Sequence, residues 1–261
     1  AATTGPEAEA YAEALLQSKL VTDLADDELP FEWVEVSLHS DPPAKGLRRL
    51  RANRMLVADL TRILATTHVS LDVVSAYFVP GRRGTRMLGR LAKAGCKVRV
   101  MTNSLEATDV LPVHASYVKY RRPLLKRGVA LYELKAAQNE DERSLLGILG
   151  ESAASLHAKS FVIDHDRVFV GSFNFDPRSV NLNCEMGFLV RSPQLVQTLE
   201  EVFSRKSAQA SWKVELGRRR ELQWLGTDAQ GNVTVHDDEP GSKLSDRIAI
   251  LNHGKLIQSG A

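Results

Sequence analysis

The chain of 261 residues has only two cysteines, Cys96 and Cys184, and neither has a C-x-x-C partner. That excludes a cysteine-built zinc site, and both are read as buried strand thiols. No apolar run reaches the ~18 residues that a membrane-spanning helix requires. The opening AATTGPEAEAYAEALL has neither a basic n-region nor an apolar h-region, so it does not read as a secretory signal. Charge of one sign is also lacking. With 34 Lys and Arg against 32 Asp and Glu the net charge is +2, and composition alone makes no case for nucleic-acid binding. No G-x4-G-K-S/T occurs, so an ATPase is excluded. Gly150-Glu151-Ser152-Ala153-Ala154 is not the G-x-S-x-G elbow of a serine hydrolase, and it lies in a polar loop. No short-period repeat is visible. The expected location is cytoplasmic, or peripheral at the inner membrane.

What is present is an ordinary globular composition, 43% hydrophobic and 25% charged, long enough for one large domain or two small ones. Basic clusters stand at Lys45–Arg54, Arg82-Arg83-Arg86, Lys119–Arg127 and Arg218–Arg220, and are read as solvated helix faces. A helix is expected at 7–20, then an irregular stretch to 47 with a short strand at 32–37. From Arg48 the rhythm is regular: helix 48–66, strand 69–78, helix 84–94, strand 97–102, helix 113–127 and strand 129–133. A hairpin over 156–170, a strand at 184–190, a helix at 193–207 and closing strands over 211–235 follow. Strands alternating with helices predict an α/β fold, an α/β/α sandwich with a central mixed sheet. The expected division is a linker-like segment 1–47, a domain over 48–240 and a tail over 241–261.

The chemistry concentrates in Ser155–Glu185. His157, Lys159 and Asp164 form H-x-K-x-x-x-x-D, with a turn at His165-Asp166 and a return strand at 167–170. Residues two apart on a strand share a face, so His157 and Lys159 project together. A lysine neutralises phosphoryl oxygens, and a histidine can attack phosphorus or donate a proton. Gly171-Ser172-Phe173-Asn174 follows directly, where small polar side chains and free N–H groups can line an anion site. Asp164 is expected on the opposite strand face, in a structural pairing role. The polar stretch Asn103–Asp109 also sits at a strand's C-terminal edge, where α/β sheets build sites. His114 is read either as a helix-start histidine or as a border of the pocket.

This constellation, with Glu185 downstream, resembles the phospholipase D superfamily, and Asn174-Phe175-Asp176-Pro177-Arg178-Ser179 resembles its cardiolipin synthase branch. The resemblance spans roughly residues 10–240 and implies the C-terminal half of a two-half enzyme. It implies a phosphodiesterase acting on phospholipid by hydrolysis or phosphatidyl transfer, through a phosphohistidine and without metal or other cofactor. His157 would be nucleophile or acid, Lys159, Ser172 and Asn174 would hold the phosphate, and Glu185 would accept from the other ring nitrogen of His157. Only one H-x-K is present, so a complete site implies a homodimer or a missing first half. The alternatives are a nuclease of the same superfamily, with nucleic acid the less favoured partner, and an inert half-enzyme binding anionic phosphate or membrane surfaces. Peripheral membrane contact is expected. Residues 244–255 instead resemble the segment after the switch histidine of ABC-transporter ATPases, with His236-Asp237 near that register, so 241–261 is read as a foreign tail.

Overall fold

A computed structural model describes residues 31–47, 55–136, 156–228 and 231–242, with positions 23, 26, 251–252 and 255–256 besides. The chain divides into two units, Ala1–Val34 and Glu35–Ala261. Few residues of the first are described, and the helix expected at 7–20 lies outside them. The second unit runs β1 (Glu35–Ser40), a 3-10 turn (Pro43–Lys45), α1 (Leu56–Ala65), β2 (Ser70–Ser75), α2 (Gly81–Lys93), β3 (Lys97–Asn103), α3 (Leu111–Leu125) and β4 (Ala130–Leu134). It continues with β5 (Lys159–Ile163), β6 (Arg167–Gly171), α4 (Pro177–Asn181), β7 (Met186–Arg191), α5 (Pro193–Gln209), β8 (Ser211–Leu216), β9 (Leu222–Thr227) and β10 (Val233–His236).

These ten strands form one mixed sheet in the order β1-β7-β6-β5-β2-β3-β4-β8-β9-β10. The β2–β3 and β3–β4 pairs are parallel, joined by crossover helices, and β5 and β6 form the expected hairpin. Every residue of β2 is buried, because helices cover both sheet faces there. On one face Leu56, Leu60, Leu88, Tyr117 and Leu124 of α1–α3 pack on Val73, Val100, Phe161 and Phe169. On the other, α5 sets Val196 against Val162 and Val168, and Val202 and Phe203 against Val74 and Met101.

Several boundaries differ from expectation. The linker-like segment contains β1, which pairs along its length with β7, so the domain starts before residue 48. The short strand falls at 35–40 rather than 32–37 because its register is set by that pairing. β2 ends at Ser75 rather than 78, where the Ser75 hydroxyl donates to the Tyr77 carbonyl and turns the chain out of the sheet. Cys96 is buried but Cys184 is exposed, and both stand just outside strands. Two members of the basic clusters, Lys45 and Arg121, are buried in ion pairs rather than solvated.

Arg121 lies in a buried polar cluster. Glu133, fully buried, accepts from Tyr117 Oη at 2.9 Å, Arg121 Nε at 2.7 Å and Trp224 Nε1 at 2.9 Å, joining α3, β4 and β9. Arg121 also donates to Glu239, whose Oε1 is 2.6 Å from His114 Nε2, so the chain after β10 is pinned to α3. Burial pushes the Glu239 carboxyl up, but the bonds from His114 and Arg121 outweigh it and hold it at about 2, against an ordinary 4.5. A depressed carboxylate stabilises the fold above its unfolded value and stops doing so as pH falls through the folded one. The contribution of Glu239 is therefore complete above about pH 4.5 and lost toward about pH 2, on the order of 3 kcal/mol. Urea unfolding of Glu239→Gln followed by fluorescence should show that loss at neutral pH, shrinking as the pH is lowered through this window.

Candidate functional site

The C-terminal ends of β2, β3 and β6 and the beginnings of β5 and β7 meet at one edge of the sheet, where α/β folds bring side chains from several strands together. Five of the six candidate residues, His157, Lys159, Ser172, Asn174 and Glu185, gather there. His157 stands just before β5, and Lys159, its first residue, pairs with Ser75. The approach is held by Asn103, whose side chain accepts from the Leu156 N–H at 2.9 Å and donates to the Leu156 and Ala76 carbonyls, each at 3.3 Å. Lys159 is half-buried and its ammonium donates to the His157 carbonyl at 2.6 Å. Burial pulls Lys159 below the ordinary lysine value, opposed by the carboxylates of Glu185, Asp109 and Asp176.

Beyond β6 the chain makes close contact with β7. A Cβ at Gly171 would collide with the Met186 carbonyl and the Gly187 backbone, so only glycine lets the strands meet and leaves Ser172 beside Glu185. Asn174 is buried, and its side-chain oxygen accepts from the Tyr77 N–H at 3.3 Å. That commits the amide oxygen and leaves the NH2 as the end able to donate elsewhere. Asp176 caps the short α4 by accepting from Arg178 and Ser179 N–H at 2.7 and 2.8 Å. Burial pushes its carboxyl up despite those bonds.

The expected bond from His157 to Glu185 is not formed among the described residues. One carboxylate oxygen of Glu185 takes the Ser172 hydroxyl, and the other takes Ser179 Oγ at 2.8 Å and Asn183 Nδ2 at 3.1 Å. The exposed His157 ring has no hydrogen-bond partner among those residues. Asp164, the aspartate of the H-x-K-x-x-x-x-D pattern, lies at the other end of β5. There, at φ 53° in the hairpin turn, its carboxylate accepts from the N–H groups of His68, Val69 and Ser70 at 2.7 to 3.1 Å. It braces the entry to β2, about five strand residues or roughly 16 Å from Lys159. His114 is locked to Glu239 and lines a small internal cavity with Thr102, Asn103 and Tyr117.

Other residues that build the site are absent from the motif. Asp41 and Lys45 are buried and paired at 2.5 Å; Lys45 also donates to the Ser179 carbonyl at 2.7 Å, and Asp41 accepts from the N–H of Glu185 at 3.0 Å and of Leu56 at 2.8 Å. Their i, i+4 spacing was legible, but not the partner 144 residues away. Tyr77 donates to Asp109 at 2.9 Å, bringing the marked 103–109 loop to the rim. Among the described residues no group of His, Cys, Asp and Glu could hold a metal ion. A groove of about 480 Å3 opens at His157, Lys159 and Ser172 and runs between Val168 and Val170 of the sheet and Leu195 and Leu199 of α5.

The chain is an α/β domain, a mixed sheet between helices with a histidine, a lysine and an asparagine at one end of its central strands. A family profile described as "Cardiolipin synthase, PLD-like domain" matches residues 60–207, and the chain belongs to that family. Among curated proteins, cardiolipin synthase C of Escherichia coli (strain K12) is 39% identical over 243 residues, 92% of this chain and 51% of that protein. The chain thus spans about half the length of that relative. Among solved structures, the phospholipase D family member Nuc from Salmonella typhimurium has a TM-score of 0.50 at 15% identity, covering 70% of this chain and 99% of Nuc. Phosphatidylserine synthase of Haemophilus influenzae Rd KW20 also has a TM-score of 0.50 at 15% identity, covering 79% of this chain and 45% of that one. These likenesses agree on the fold. Among the described residues no helix is long and apolar enough to cross a membrane.

The Asp41–Lys45 pair gives a direct test. Lys45→Met leaves a buried carboxylate without its counter-charge and should cost about 3–5 kcal/mol in urea unfolding, whereas adding Asp41→Asn, which removes the charge but keeps an oxygen to accept an N–H, should recover part of the loss.

Proposed function

We propose that this chain carries a catalytic half-site for phosphodiester exchange on phospholipids, by hydrolysis or phosphatidyl transfer, with His157 as nucleophile. The observation that carries the reading is the combination of an imidazole without partners among the described residues, a half-buried ammonium two residues on, and an amide NH2 left to donate once the amide oxygen accepts from the Tyr77 N–H. The similarity to cardiolipin synthase C supports phospholipid as the substrate class.

In the proposed reaction a ring nitrogen of His157 attacks phosphorus. The N–P bond forms as the P–O bond to the head-group alcohol breaks, and that alkoxide leaves with a proton from a general acid. Lys159 and Asn174 hold the non-bridging oxygens, where developing charge is best stabilised by groups already in place. Water or a second alcohol then attacks phosphorus, gives up its proton and releases His157. The general acid comes from a second copy of the motif, in a partner chain or elsewhere in a longer one. Glu185, held by Ser172, Ser179 and Asn183, acts here as the anchor of the Ser172 shelf. Nucleic acid fits less well, because Asp109, Asp176 and Glu185 surround the single lysine and would repel a polyanion.

His157→Asn should abolish head-group release from phosphatidylglycerol vesicles while leaving the urea midpoint unchanged, since the ring supports nothing around it. Retained release would sink the assignment. A 32P-labelled, acid-labile, base-stable adduct should form on the native chain and be absent from the variant. Because burial lowers Lys159, kcat/KM should fall on the alkaline side before an ordinary lysine would titrate.

A further inference from the structure

The groove beside His157 is apolar where the candidate phosphate site is polar, and a nucleophile and a phosphate cradle do not need it. One end is formed by His157, Lys159 and Ser172; the rest by Val168 and Val170 with Leu195 and Leu199 of α5. Its 480 Å3 falls in the roughly 300–1,000 Å3 range of small-molecule sites. Beyond it, the same sheet face stays apolar and open. Val170 pairs with Phe188, and Phe188 with Leu38, and these three are 45%, 42% and 57% exposed. Met186, two residues from Phe188, is 46% exposed on that face. Exposed apolar patches of this kind mark binding surfaces.

We infer that this groove is an acyl-chain site: a phospholipid places its phosphate at Lys159 and Asn174 and runs one fatty chain along Val170 and Leu199, with the Leu38–Phe188 face against the lipid surface. The inference rests on the phospholipid reading above. Charge complementarity sets the direction, since among the described residues that line the groove the one lysine or arginine is Lys159, close in sequence to the candidate nucleophile. A phosphodiester anion with an apolar tail matches both ends. A nucleotide chain, anionic along its length, would leave the apolar walls unmatched.

The test uses phosphatidylglycerols of increasing acyl length, kept monomeric below their aggregation threshold, with two readouts: turnover by the native chain and equilibrium binding to the inactive His157→Asn variant. Both kcat/KM and affinity should rise with each added methylene, up to about fourfold where burial is complete. Val170→Trp, which fills the groove from a half-exposed strand position that tolerates aromatics, should flatten that rise. Leu199→Gln, on the facing helix, should flatten it less. Turnover that is flat with chain length overturns the acyl site and leaves the chemistry standing. Steep binding without turnover of any lipid keeps the groove and rejects the chemistry. If Val170→Trp instead converts a dimer to a monomer in sedimentation, the face is a protein interface and the inference fails.

Discussion

The site depends on one buried ion pair. Asp41 and Lys45 lie 2.5 Å apart with their side chains wholly out of solvent, and between them they hold three elements. Asp41 takes the N–H of Leu56 at the start of α1 and that of Glu185 just before β7, while Lys45 takes the Ser179 carbonyl in α4. Such a pair is a weak source of net stability, because the desolvation of both charges offsets most of their attraction. Its effect is geometric. A buried carboxylate that loses any of these donors is left unsatisfied, so the arrangement that satisfies all of them is strongly selected over near alternatives.

From that pair the constraint passes outward through hydroxyls. Ser179, held by the Lys45 contact and the Asp176 cap, donates to Glu185 and accepts from the Asn174 N–H at 3.2 Å. Glu185 in turn holds Ser172, and Met186 N–H donates back to the Ser172 hydroxyl at 3.1 Å. The Gly-Ser-x-Asn turn is thereby fixed at both ends, Asn174 a second time through Tyr77. On the other side of the edge, Asn103 does for Leu156 what this chain does for Asn174. Among the described residues, Ser172, Asn174, Ser179 and Glu185 are thus tied to one another behind the turn.

The residues that could be named from the sequence are those that carry a local pattern. The hairpin alternation brought out His157 and Lys159, and the glycine-led turn brought out Ser172 and Asn174, because adjacent residues act together there. Asp164 belongs to the same pattern but answers to a different constraint: its carboxylate satisfies three N–H groups at the far end of the strand, which no spacing reveals. Asp41 and Lys45 were invisible as site builders because Glu185 and Ser179 lie 144 and 134 residues away, and although the stretch from Asn103 was marked, its hold on Leu156, 53 residues on, was not. Lys45 and Arg121 read as surface charges because composition cannot tell a solvated lysine from a paired one. The strand at the amino-terminal edge was anticipated, but its place in the sheet is decided by β7.

A cradle tied from behind, beside an unbonded imidazole, is a division of labour with a chemical reason. A group that binds phosphate oxygens gains from being immobile, since no reorganisation is then needed as charge develops. A nucleophile in the proposed reaction must move toward phosphorus and back, and a ring fixed by a strong local acceptor would lose that freedom. Glu185 instead anchors Ser172 with one oxygen and Ser179 and Asn183 with the other. The carboxylate is therefore committed to shape, and the orientation of the imidazole is left to whatever completes the site. In the proposed reaction, a single motif of this kind supplies the groups that hold phosphate and leaves the general acid to a second one.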